Sequence, residues 1–296
     1  MASKEQLASV NGTSMARRAW AYVEVLKPRE TSLLVFIAMC AAVVAAGDDM
    51  TGGRFMLTMA TVALGSAGVN GLTNYLDRNI DARMKRTMHR SLPSRQIDPP
   101  QKALAFTALI TAAALVMAWY LHPLCFAAGA VGTLFALTRR KTWVCPFFGA
   151  VASCSPVAIA WFAFKPEFNL ALLFLCLLIC IWVPIHVWSV MLAHREDYVS
   201  GGVRYFPLNR ETGDAVKVLF LLSLPLLAVS IAMYFSGHLG WLYLTVAAVL
   251  GVVMFYANSR LVITHASYEA WRVYKLSAFP YLGMVFLAMG VDAWIH

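Results

Sequence analysis

Long apolar runs alternate with short polar breaks along the whole chain. Nine runs stand out, over 32–46, 55–76, 103–121, 123–138, 143–164, 170–193, 215–235, 240–257 and 276–294. Most are near the ~20 residues that a helix needs to cross the hydrocarbon core of a bilayer. The alternating ten-residue segments of a membrane β-barrel are absent. Turns as short as "LHP" (121–123) and "SGH" (236–238) force antiparallel neighbours. The pattern predicts an all-α polytopic membrane protein, a single bundle of nine transmembrane helices over residues 1–296. Residues 1–30 form a polar, basic interfacial segment, "ARRAWAYVEVLKPRET", with Trp20 and Tyr22 suited to the headgroup zone. It lacks the short apolar core of a cleavable signal peptide.

Composition agrees. The chain is 60% hydrophobic and only 13% charged, about half the charged share of a soluble domain. Lys and Arg orient the bundle. With the N-terminus in the cytoplasm, 22 of the 24 basic residues fall inside, and only Arg54 and Lys165 fall outside. Nine spans then put the C-terminus outside, in a plasma or inner membrane. Topology thus accounts for much of the net charge of +9, and no nucleic-acid role is needed. The six cysteines lie in or beside apolar runs without a CxxC. They read as small hydrophobes, with no disulfide and no structural zinc expected.

Topology does not explain the acids. "TNYLDRNIDARMKRTMHRSLPS" follows the second run and carries Asp77 and Asp81 at i, i+4, with Asn74 one turn before. If the second span continues as a helix past the membrane surface, the three share a face. Oxygen donors at a helix end suit Mg²⁺, which takes one or two carboxylates and fills its shell with waters and substrate phosphates. The cations around them suit a diphosphate. The plainer alternative is a topogenic loop whose acids pair with neighbouring arginines. A second acidic helix end weighs against it: "HVWSVMLAHREDYVSGG" closes the sixth span with Glu196 and Asp197 on the same membrane side, and the turn "TRRKT" adds Arg139, Arg140 and Lys141 there.

One ionisable group lies deep. His186 precedes Asp197 by eleven residues, which returns to nearly the same helix face about 16 Å further in. Ser189 shares that face, and Pro184 would kink the helix nearby. An ionisable residue inside a membrane is a functional candidate by default. A packing histidine bonded to a neighbouring helix is the alternative.

At these residues the chain resembles the UbiA-type family of intramembrane prenyltransferases and, within it, the branch that farnesylates protoheme. The resemblance runs from "VLKPRETSLLVF" to the ninth span. Its most specific part is N-Y-x-D-R-x-x-D-x-x-M-x-R-T-x-x-R-P-L-P, matched by Asn74, Tyr75, Asp77, Arg78, Asp81, Met84, Arg86, Thr87, Arg90, Leu92 and Pro93. A second part, H-x-W…D-D-Y, is matched by His186, Trp188, Asp197 and Tyr198. The chain departs at Thr73 (commonly Asn), Ser91 (Pro), Glu196 (Asp) and "CSPVAIAW", which has one proline where the branch has two.

The resemblance implies Mg²⁺ held by Asp77, Asp81 and Asp197, with Asn74 and Glu196 beside them. It implies diphosphate contacts from Arg78, Lys85, Arg86, Arg90, Arg139 and Arg140, and heme contacts from His186, Trp188 and Tyr198. Farnesyl diphosphate and heme B would be substrates, the site would open to the cytoplasm, and a heme A synthase would be a candidate partner. Two other readings stay open: the same chemistry on a quinone precursor, phenol or lipid acceptor, and a membrane transporter. A transporter would call for polar groups near the midplane on broken helices, and here the acids gather at one surface.

Overall fold

The computed structural model describes residues 4–138, 142, 144–236 and 239–295, and side chains from Met15 onward except Ser236. Arg139 and Arg140 lie outside the described residues. Among the described residues the chain is all helix and turn, with no strand.

The helices run α1 (Lys4–Val25), α2 (Pro28–Ala46), α3 (Gly52–Asp81), α4 (Gln101–Leu121), α5 (Pro123–Leu137), α6 (Cys145–Phe164), α7 (Leu170–Ala193), α8 (Arg195–Ser200), α9 (Thr212–Ser236), α10 (Trp241–Thr264), α11 (Ser267–Leu276) and α12 (Met284–Ile295). A π-helical stretch, Ser277–Gly283, joins α11 to α12. Among the described residues, eight helical segments are long and apolar enough to cross a membrane, the α11–α12 pair counting as one. The ninth apolar helix, α5, has 15 residues, about 22 Å at 1.5 Å per residue, which falls short of a full hydrocarbon core.

Helix boundaries follow local chemistry. Lys27 takes a left-handed conformation (φ 49°) between α1 and α2, and Pro28 begins α2, where its missing N–H costs nothing. Asn169 caps α7 by accepting from Leu172 N at 3.0 Å. On the side expected to face outward, Arg54 in α3 donates to Leu121 O at 3.1 Å and to Ala163 O. One guanidinium thus satisfies carbonyls at the C-terminal ends of α4 and α6, where the helix dipole favours a cation.

Small residues let the helices approach, as expected where lipid supplies no hydrophobic drive between them. A Cβ on Gly71 would collide with the Thr107 side chain, and one on Gly68 with Thr111, so α3 and α4 touch nearly backbone to backbone. One large core gathers α2, α6, α7, α9, α10 and α12, while a small satellite of Ala21, Val25, Leu92, Ile97 and Ala103 glues α1 to the loop after α3.

The polar stretch between the eighth and ninth apolar runs is mostly helical, because α10 continues to Thr264 and α11 starts at Ser267. α7 stays helical through Pro184. The irregular backbone instead lies in the last span, at Ala278 (ψ −131°) within the π-helical stretch, next to Pro280, whose missing N–H interrupts the helical ladder.

Candidate active site

α3 does continue to Asp81, so its last two turns carry Asn74, Asp77 and Asp81 on one face, all buried. The Asn74 amide donates to Val25 O at 2.8 Å. It therefore docks the end of α1, which leaves the carbonyl oxygen and one N–H of the amide for other partners. Asp81 pairs with Arg90 at 3.5 Å.

The loop after α3 is held by the residues of its own motif. Met84 is fully buried, and the Thr87 hydroxyl donates to Asp81 O at 2.9 Å, closing the helix end. Arg78 folds back on its own helix. It donates to Tyr75 O at 2.6 Å and lies 4.0 Å over the Tyr75 ring. Ser91, one of the departures, uses both its N–H and its hydroxyl to bind the Glu24 carboxylate. A proline there could make neither bond.

The second acidic segment meets this loop from the other side. Asp197 accepts from the backbone N–H groups of Lys85 (2.5 Å) and Arg86 (3.3 Å). The Arg86 guanidinium donates to the buried Tyr198 hydroxyl at 3.2 Å. The loop is therefore a partition. Asn74, Asp81 and Arg90 line a cavity of about 210 Å³ together with Lys27. Asp197 and the exposed Glu196 line another, of about 760 Å³, with Lys85, Arg86, His194 and His265. Burial above all, then the Arg86 charge, lowers the pKa of His194, while Asp197 acts the other way. Among the described residues no three carboxylate, imidazole or thiol groups converge as a cage for a metal ion. The two acidic ends adjoin one loop without closing on one another.

Thr73, Asn70 and Ser66, one to three turns up the acid face of α3, line a third cavity of about 220 Å³ among α2, α3, α4, α5 and α6, with Thr61 a further turn along the helix. Lys27 lines this cavity as well as the one holding Asp81. Sequence reasoning counted Lys27 only as a topological charge. Its left-handed turn carries no sequence signal, since a residue before proline ordinarily takes an extended conformation.

His186 sits between α7 and the last span. Its Nδ1 is 2.8 Å from Ser277 Oγ. Trp182 stacks on one face of the ring at 4.7 Å and 18°, and Tyr274 covers the other at 4.5 Å and 31°. Trp188, two residues on, points elsewhere and packs edge-on against Phe147 and Phe206. Ser277, Tyr274 and Trp182 were not foreseen as a group. Trp182 lies more than ninety residues from Tyr274 and Ser277, and the three carry no motif.

The donor chemistry fits a hard cation. Asp77, Asp81 and Asn74 offer only oxygens, beside Arg90 and above an apolar cavity, and Mg²⁺ needs no more than one or two carboxylates from a protein when phosphates complete its shell. Comparison with known proteins agrees on the scaffold. The chain is 33% identical to a protoheme IX farnesyltransferase of Desulforudis audaxviator over 98% of this chain and 95% of that one. It is 32% identical to protoheme IX farnesyltransferase 1 of Cenarchaeum symbiosum over 93% and 96%. Among solved structures it superposes on a digeranylgeranylglyceryl phosphate synthase with TM-score 0.78 at 18% identity, over 94% of this chain and 99% of that one. A UbiA homolog from Archaeoglobus fulgidus bound to GPP and Mg²⁺ gives 0.69 at 14%, over 93% and 100%. The description of the UbiA prenyltransferase family matches residues 33–283, a stretch that includes both acidic helix ends and His186, and the chain belongs to that family.

Proposed function

We propose that this protein transfers a farnesyl group from farnesyl diphosphate to a vinyl group of protoheme, giving heme O. The observation that carries the reading is the buried Asp77–Asp81 face, which runs directly into an apolar cavity. A charged head and a hydrocarbon tail are thereby served by one helix. The relatives' names supply the acceptor.

Asp77, Asp81 and Asp197 would hold Mg²⁺ with the diphosphate, Asn74 and Glu196 standing beside them. The ion, when bound, would neutralise charge growing on the leaving group. Lys27 and Arg90 would donate to the same oxygens, as would Lys85, Arg86 and the two arginines at 139 and 140. As the allylic C–O bond breaks, its electron pair leaves with the diphosphate. The vinyl π electrons then form the new C–C bond, and water adds to the resulting cation with loss of a proton. The cavity along Thr61, Ser66 and Asn70 would keep the prenyl chain from bulk water until then. Arg78, tied to Tyr75, would act on the helix end and not on the substrate.

The bundle would have nine spans with the N-terminus and the site on the cytoplasmic side, on the distribution of Lys and Arg. A heme A synthase would be the natural recipient of the product. Mass spectrometry of hemes from liposomes holding the protein, protoheme, farnesyl diphosphate and Mg²⁺ tests the reading. A mass gain of farnesyl plus water is expected. Unchanged heme with a prenylated phenol or lipid would reject it.

A further inference from the structure

Ser277 Oγ lies between two partners, 2.9 Å from Tyr274 O and 2.8 Å from His186 Nδ1. The carbonyl can only accept, and the hydroxyl has one hydrogen. With that hydrogen on Tyr274 O, Ser277 accepts from His186 Nδ1–H, and the imidazole lone pair is on Nε2. Both ring faces are occupied, by Trp182 and Tyr274. Ser277 pins the stacking partner too, because Trp182 Nε1 donates to Ser277 O at 2.5 Å. All this happens at the first residue of the π-helical stretch, just before the non-helical Ala278. Such stretches within α-helices are frequent at functional sites.

A flat acceptor cannot stack on a ring whose two faces are covered. It can meet His186 only at the open edge, through an in-plane lone pair. A neutral imidazole whose other nitrogen donates to an oxygen is the usual arrangement of a histidine that binds a metal. We propose that Ser277 is a positioning residue that presents His186 Nε2 to the iron of the incoming heme, so that the acceptor is recognised as an iron porphyrin and metal-free porphyrin is refused. This rests on the heme-farnesylating reading above.

The test is a spectral titration of the full-length purified protein with ferric heme and, separately, with metal-free protoporphyrin IX. Wild type should give a Soret shift typical of imidazole ligation and bind the metal-free ring far more weakly. His186→Gly should lose the shift, and added imidazole should restore it. Ser277→Ala should weaken heme binding roughly 10- to 100-fold, the usual cost of losing a partner behind a metal ligand. Its binding of metal-free porphyrin should not change. Ser277→Thr, which keeps the hydroxyl, should stay near wild type; if it does not fold, the imidazole rescue decides alone. The proposal is overturned if wild type converts heme while His186→Gly gives an unaltered Soret band. It is also overturned if Ser277→Ala weakens both porphyrins equally, which would mark Ser277 as a stitch between α7 and the last span. If wild type neither binds nor prenylates heme, the functional reading itself falls, and this inference with it.

Discussion

At the acidic end of α3, Asp81 draws its partners from close by, whereas His186, beside its near neighbour Trp182, draws its hydrogen-bond partner from 91 residues away. Asp81 meets Arg90 and Thr87 within one loop. His186 meets Ser277 and Tyr274 only once α7 has packed against α11. The difference follows from solvent. At the membrane surface, charges can be paired locally and water covers the remainder. At depth, a polar group must find a protein partner on another helix. If the two stations do separate work, ionisation at the surface and acceptor recognition at depth, they should fail separately.

The largest effect should come from the acids. Asp77→Asn and Asp81→Asn preserve size and remove charge, and each should lower turnover on the order of 10²-fold or more, the scale for losing one preorganised stabiliser of the leaving charge. Prenyl diphosphate binding should become insensitive to Mg²⁺, and heme binding should persist. EDTA should silence the wild type, with recovery on adding Mg²⁺. Activity within a few-fold of wild type at low Mg²⁺ would remove both residues from the metal. His186→Ala should show the mirror image, with prenyl diphosphate binding retained and most heme prenylation gone. Loss of both bindings in either variant would merge the two stations into one.

Asp197 tests the partition between the cavities. Its carboxylate is engaged by two consecutive N–H groups of the loop after α3, bonds to a charged group that each contribute about 1.5–3 kcal/mol. Asp197→Asn should therefore slow turnover and also loosen residues 84–88, read as faster amide exchange there. Unchanged exchange would mean that Asp197 serves the substrate alone. Arg90→Ala should weaken prenyl diphosphate binding by roughly tenfold, the lower end of a lost charge-assisted bond, because the side chain is partly open to solvent.

Much of the surface station could be read from spacing. The i, i+4 acids share a face because α3 carries on past the apolar run, and Met84, Thr87 and Arg90 turn out to be the plug, the cap and the ion pair of the loop behind them. What spacing could not give was partnership. Arg78 and Arg90 look alike in sequence, yet Arg78 folds back on Tyr75 three residues before it while Arg90 pairs with Asp81. Asp197 reads in sequence as an acid for the metal, and spacing gives no sign that it also accepts from the backbone N–H groups of Lys85 and Arg86. Trp188 shares a motif with His186, but two residues on a helix are about 200° apart, so they serve different neighbours. The break in the last span was invisible because Pro184 and Pro280 are equally proline-like in sequence, and only packing determines which helix yields.

The smallest effect concerns a departure from the family pattern. Ser91 stands where the resembling pattern has proline, and here its N–H and hydroxyl both reach Glu24 on α1. α1 is otherwise tied to the bundle by Asn74 and the small apolar satellite. Ser91→Pro removes both donors and leaves the Glu24 carboxylate to water, which can reach it because the residue is only partly buried. The loss should therefore be near the bottom of the charged hydrogen-bond range, about 1.5 kcal/mol, seen as a modest drop in melting temperature with turnover within a few-fold. In the background of Glu24→Gln the same proline should cost less, since a neutral amide gains less from the same two donors. If instead Ser91→Pro lowers turnover as far as Asp81→Asn does, the Glu24–Ser91 contact acts on the site itself. Docking of α1 would then belong with the surface station as part of its chemistry.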